Sequence, residues 1–241
     1  MRQENQQEGV SHSLEIHDRT RRLILIPILH TQADMGSLGR EFEIAARRQL
    51  GQEAWNRHKE ALQLYWDEVE RRLFSLTLPY ARVRLYQDSL PVCGQEERIV
   101  QDAAQAGSRN YQILRKLMDY GATLMGTESV DLLMEEYSMA RALVEAAARG
   151  EGPVQAAVAR AERQRALLLA RDSFIAERIQ TTLEPGETGL LFLGALHAPE
   201  TMLPPEIEVL RLTEIAVGKA EEKTWKNQEK IRKVPLEGRA R

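Results

Sequence analysis

The chain has 241 residues, of which 43% are hydrophobic, and its formal charge at pH 7 is -3. That is enough for one large domain or a domain carrying an insertion, and so even a charge balance points to neither nucleic-acid binding nor disorder. Apolar runs stay short of the roughly 20 residues that span a bilayer. Residues 1–13 lack the apolar core of a signal peptide, and a single cysteine, Cys93, excludes an internal disulfide framework and a cysteine-built zinc cluster. The expectation is a cytoplasmic protein with no nucleic-acid or membrane partner.

Residues 1–13 read as a disordered leader. From Leu14 the pattern is a small hairpin: "LEIH" alternates, "DRT" supplies turn residues, and "LILIPIL" is a continuous branched apolar run suited to a strand covered on both faces. Pro27 is out of place in that run, because proline removes a ladder donor and favours edges or strand ends. Ile44, Leu50, Trp55, Leu62, Tyr65, Trp66, Val69 and Leu73 then recur at helical spacing, predicting one long or two successive helices before a break at Pro79. "ARVRLYQDSL" predicts a strand ending near Asp88. Glu96 to Tyr120 reads as helix, stopped by Gly121, and "ATLMGTES" as a short strand ending near Glu128. Val130 to Glu184 is helical with an interruption at Gly150–Pro153, "LLFLGALH" is a further buried strand, "PPEIEVLRLTE" a last short one, and the charged tail from Lys219 is solvated.

Strands alternating with helices predict an α/β fold with a mainly parallel central sheet flanked by helices. A single domain spans residues 14–218, with a helical insertion at about 130–170 and a tail at 219–241. In such a sheet, ligands bind beyond the carboxyl ends of the strands. Four predicted strands end on His30, Asp88, Glu128 and His197, so one rim of the sheet can gather two imidazoles and two carboxylates. These groups can hold a divalent ion such as zinc, manganese or cobalt, which lowers the pKa of a bound water and polarises a carbonyl. Without a metal they can serve as general base and orienting acid. Arg171, in "LLLARDSFIAERI", can enter from a helix and stabilise an anionic intermediate.

"LILIPILHTQ" and "LLFLGALHAP" resemble the first and last signature strands of the superfamily containing TraB/PrgY, Tiki, ChaN and erythromycin esterase proteins. Its members carry two GxxH-type motifs on separate strands of one α/β domain. Gly194–His197, "GALH", fits the motif in full; the first motif is altered to "PILH", with Pro27 in place of glycine. The stretch from Arg171 resembles the superfamily's arginine-bearing helix before the final motif strand. Arg171, Ile175, Ala176 and Ile179 fit that pattern, and Asp172 replaces an asparagine. Asp88 is the nearest match to an acidic residue, usually glutamate, that the superfamily places after an early strand, and Glu128 is a second candidate. The resemblance covers the first hairpin and Arg171 to Leu212. It implies a metal-dependent hydrolase of peptide or ester bonds, or a non-catalytic metal-, haem- or small-ligand-binding regulator on the same fold.

Structural alternatives stand beside these roles. His30 and His197 can cap strands, Asp88 can be a turn carboxylate, Glu128 can cap the helix that follows it, and Arg171 can pair with a glutamate of its own helix. A third function is a helical interaction protein with a vestigial pocket. The expected partner is a small-molecule or peptide substrate, and the amphipathic helices allow a homodimer.

Overall fold

The computed structural model describes residues 19–29, 43–44, 47–48, 50–148 and 157–214. Among them, β1 (Arg21–Ile28), β2 (Val83–Gln87), β3 (Thr123–Met125), β4 (Thr188–Gly194) and β5 (Ile207–Arg211) form an all-parallel sheet in the order β3-β2-β4-β1-β5. The helices are α1 (Gln52–Ser75), α2 (Glu96–Gln105), α3 (Arg109–Asp119), α4 (Val130–Ala148) and α5 (Ala157–Thr182), with short 3-10 turns at Tyr80–Arg82 and Pro199–Met202. No described helix is long and apolar enough to cross a membrane.

Side chains alternate across the strands, and both sets find a partner layer. Ile24, Ile26, Leu85, Leu190 and Phe192 pack against Trp66, Val69 and Leu73 of α1, Val100 of α2 and Ile113 and Leu117 of α3. On the opposite face Leu23, Leu25, Tyr86, Leu191 and Leu193 pack against Ile175 and Ile179 of α5 and Leu183 just beyond it. Burial on both faces is the reason β1 and β4 read as unbroken apolar runs. The fold is the expected α/β architecture, and the sheet is parallel throughout.

Pro27 fits because the sheet narrows around it. The β1–β4 register runs on to Ile28 and Gly194, whereas β5 pairs only with Arg21 to Leu25. Leu25 offers its carbonyl to Leu212 N on the β5 side, so by strand alternation Pro27 also faces that side, beyond the end of β5. With no N–H to offer Leu212 O, Pro27 stands where the β1–β5 ladder stops, and its carbonyl accepts from the Tyr65 hydroxyl of α1. The Trp66 indole likewise donates to Leu29 O at 3.2 Å. Pro27 pairs with Leu193, and Gly194 with Ile28, so the two motifs sit one residue out of register.

Some sequence expectations need correction. The segment Glu96 to Tyr120 is two helices, because Gly107 takes φ 97° and Ser108 starts a new helix, its hydroxyl accepting from Tyr111 N. The strand expected to reach Glu128 ends at Met125. The helix expected to run to Glu184 ends at Thr182, and it forms one wall of the core. The leader, the hairpin arm Leu14 to Asp18, His30, the Gly150–Pro153 interruption and the tail from Lys219 lie outside the described residues.

Gly189 marks the tightest approach in the sheet. A Cβ there would lie 2.7 Å from Leu23 Cδ1 and 3.2 Å from Tyr86 Cε2. Gly189→Val overpacks this layer, and urea unfolding should show a loss of about 1–3 kcal/mol.

Candidate functional site

All strands run the same way, so the residues that follow β2, β3 and β4 meet at one rim. Asp88 follows β2 directly, and its N–H donates to Phe192 O at 2.9 Å, extending the ladder by one step. Ser89 then turns the chain with φ 63°, unusual for a residue with a side chain. The turn aims Ser89 N at Glu128 Oε1, 2.7 Å away. Glu128, three residues past β3, is held by backbone bonds from Glu128 N to Leu90 O and from Val92 N to Glu128 O. The β3 segment thus delivers its carboxylate to the end of β2.

Arg171 enters from α5 and gathers these acids. Its Nε and Nη2 donate to the two oxygens of Glu128 at 2.6 and 2.7 Å, Nη2 also donates to Asp88 Oδ1 at 2.9 Å, and Nη1 donates to Glu136 Oε1 of α4 at 2.6 Å. The Arg171, Asp88 and Glu128 side chains are buried, while Glu136 is half exposed. The guanidinium is occupied by three carboxylates, so its geometry is that of a clamp positioning Asp88 and Glu128. Its partners come from the strand ends and α4, not from α5 itself. The next helix is capped by Ser129 Oγ, which accepts from Leu132 N; Glu128 is spent on Arg171 and Ser89.

His197 completes the rim. Its Nδ1 lies 2.5 Å from Asp172 Oδ1, and Asp172 Oδ2 accepts from Ala198 N at 3.0 Å. With Nδ1 donating to the carboxylate, Nε2 keeps its lone pair and faces Asp88 Oδ1 at 3.8 Å. The other Asp88 oxygen accepts from Gly194 N at 2.9 Å. Beside His197 lies a cavity of about 50 Å³ lined by Pro27, Gly194, Glu200 and Arg211 among others. Glu200 Oε2 is buried without a hydrogen-bond partner, while its Oε1 accepts from Arg211.

The charges pull in opposite directions. Burial pushes the Asp88 carboxyl up, but the His197 charge, Glu128, Arg171 and the Gly194 N–H together hold it below the usual aspartate value. Burial and the Asp88 charge push Glu128 up despite Arg171, so Glu128 takes a proton before Asp88 does. Burial pushes His197 down, but Asp172 and Asp88 outweigh it and raise the imidazole above 6.5.

The expected rim thus brings Asp88, Glu128, His197 and Arg171 together; His30 lies outside the described residues. Sequence reasoning missed Asp172 as a partner of His197, as well as Glu136, Glu200 and Ser89. Asp172 did leave a signal, since it shares the inward stripe of α5 with Ala176 and Ile179. The implied divalent metal does not fit the described residues. Among them no group of three or more His, Cys, Asp or Glu is arranged to hold an ion, both Glu128 oxygens are bound by Arg171, and each Asp88 oxygen already accepts a hydrogen bond.

Two outcomes follow. Arg171→Met leaves buried carboxylates unpaired and should cost about 3–5 kcal/mol in denaturant unfolding, against no more than about 1 kcal/mol for Glu136→Gln at its half-exposed position. His197 is raised in the folded state, so its contribution to stability is complete below pH 6.5 and fades as pH rises through its folded value. The urea midpoint should therefore decline across that range in the wild type, and decline less in His197→Gln. The chain matches no protein-family model, no curated protein and no solved structure at a significant level.

Proposed function

We propose that the chain is a cytoplasmic hydrolase of ester or peptide bonds in which His197 is the general base. The observation that carries this reading is the Asp172–His197 pair, which leaves Nε2 as an acceptor opposite Asp88 and beside a cavity large enough for water. The unpartnered Glu200 Oε2 supplies an acceptor on the wall of that cavity. The resemblance of the segment from Arg171 to His197 to the TraB/PrgY, Tiki, ChaN and erythromycin esterase superfamily supports hydrolysis as the reaction class, though not the metal that it implies.

In this reading a water in the cavity gives a proton to His197 Nε2 while its oxygen attacks the substrate carbonyl. Asp172 fixes the ring and its tautomer, and the two aspartates stabilise the imidazolium. Collapse of the tetrahedral intermediate breaks the bond from carbonyl carbon to the leaving oxygen or nitrogen. His197 returns its proton to that leaving group, and the products are a carboxylic acid and an alcohol or amine. Arg171 keeps Asp88 in place throughout.

One observation favours a second reading, a non-catalytic ligand-binding regulator: the guanidinium that would stabilise an oxyanion is already engaged by carboxylates. Turnover separates the two. Screening 4-nitrophenyl acetate and a peptide library should find a substrate whose kcat/KM falls about 100-fold or more in His197→Ala. The acid limb of the pH–rate profile should lie above 6.5 and move down in Asp172→Asn, and activity should survive chelation by EDTA. Equal turnover by wild type and His197→Ala contradicts the hydrolase reading and favours the regulator.

A further inference from the structure

A larger cavity, of about 570 Å³, lies between α4 and α5. Its α4 wall is built by Leu133, Tyr137 and Ala140, and its α5 wall by Leu167 and Leu168, with Leu196 at the mouth. On α4 these positions recur at spacings of four and three, and on α5 Leu167 and Leu168 follow Gln164, also in the lining, by three and four residues, so each wall is one stripe of a helix. On α5 the stripe continues from Leu167 and Leu168 directly to Arg171. On α4 it includes Glu136, which lines the cavity and bonds Arg171. Glu136 therefore joins the cavity wall to the acid cluster. The ion pair between Arg163 and Glu135, with Nε to Oε1 at 2.6 Å, ties the two helices together across it.

Leu196 is the clearest sign that something apolar belongs there. It precedes His197 in the chain, lines the cavity, and is 81% exposed. Exposed leucine at the mouth of a concave, largely apolar space is unfavourable until a ligand covers it. The volume falls in the range of small-molecule pockets, roughly 300–1,000 Å³. The charge of the occupant follows from the lining: its charged side chains are Glu136, already bonded to Arg171, and Arg165, one of each sign, so the walls offer no net charge to attract an ion.

We infer that this cavity binds the apolar body of the substrate, an uncharged aliphatic or aromatic group attached to the bond hydrolysed at His197. The assignment rests on the hydrolase reading for its chemistry and on the cavity alone for its binding. Glu136, the half-exposed member of the cluster, is the residue shared by the cavity lining and the Arg171 cluster, and Leu196, also in the lining, is bonded to His197 in the chain.

Binding and turnover test the two layers separately. The neutral fluorophore N-phenyl-1-naphthylamine should bind the wild-type chain and be displaced by decanamide. Ala140→Trp, which fills the space, should weaken binding at least tenfold, and Leu196→Asn on its exposed loop at least threefold. Circular dichroism establishes that both variants fold, and Leu196→Asn serves alone if Ala140→Trp does not. With 4-nitrophenyl esters, the wild-type ratio of kcat/KM for octanoate over acetate should reflect about threefold to fourfold per added CH₂, and that ratio should collapse in Ala140→Trp. Fluorophore binding sensitive to both variants, with no ester hydrolysed, supports the cavity and removes the hydrolase reading. Absent fluorophore binding, or equal binding by wild type and folded variants, overturns the inference whatever the turnover. A dimer by light scattering that Leu196→Asn separates, without fluorophore binding, makes the groove a subunit contact and also overturns it.

Discussion

The rim of the sheet depends on one buried guanidinium. Asp88 and Glu128 reach the same place because β2 and β3 are parallel neighbours, and two carboxylates so close in an apolar interior would repel one another at considerable cost. Arg171 makes their proximity tolerable by bonding both, and its third partner, Glu136, brings α4 into the same cluster. The position of Arg171 is in turn fixed by Ile175 and Ile179, which seat α5 on the sheet. Core packing thus holds the arginine, the arginine holds the acids, and Asp88 presents one face to His197.

This hierarchy separates charges that support the fold from charges available for chemistry. Arg84 and Glu187 form a two-point pair at the opposite, amino-terminal rim, with bonds of 2.8 and 2.7 Å. That pair is complete and faces no imidazole or cavity described at the other rim. His197 differs because only one ring nitrogen is engaged by Asp172, and the other is left toward Asp88 at a distance too long for a hydrogen bond. An acceptor held in one tautomer and left without a direct donor is what proton transfer requires.

Much of the framework was legible in the sequence, for a physical reason. Strands buried on both faces must be continuously apolar, so "LILIPIL" and "LLFLG" revealed themselves, and the parallel arrangement then placed the residues after them at a common rim. That logic reaches Asp88, Glu128 and His197, whereas Arg171, on a helix, is reached by its charge and by the resemblance of its segment. Asp172 was harder to assign, because a carboxylate beside an arginine on a helix reads as surface charge until the inward stripe of α5 is known. Glu136 lies on a helix whose sequence shows it as solvated, and only the approach of α5 gives it a partner. Pro27 reads as a defect in the strand; it stands at the step where the β1–β5 pairing ends, while the pairing with β4 runs on past it.

The central claim is the state of one imidazole, and it is best read by nitrogen-15 NMR of His197 across a pH titration. The account predicts the tautomer with its proton on Nδ1, held by Asp172, an unprotonated Nε2 at alkaline pH, and a titration midpoint above 6.5. A proton on Nε2 in the neutral ring, or a midpoint below 6.5, contradicts it.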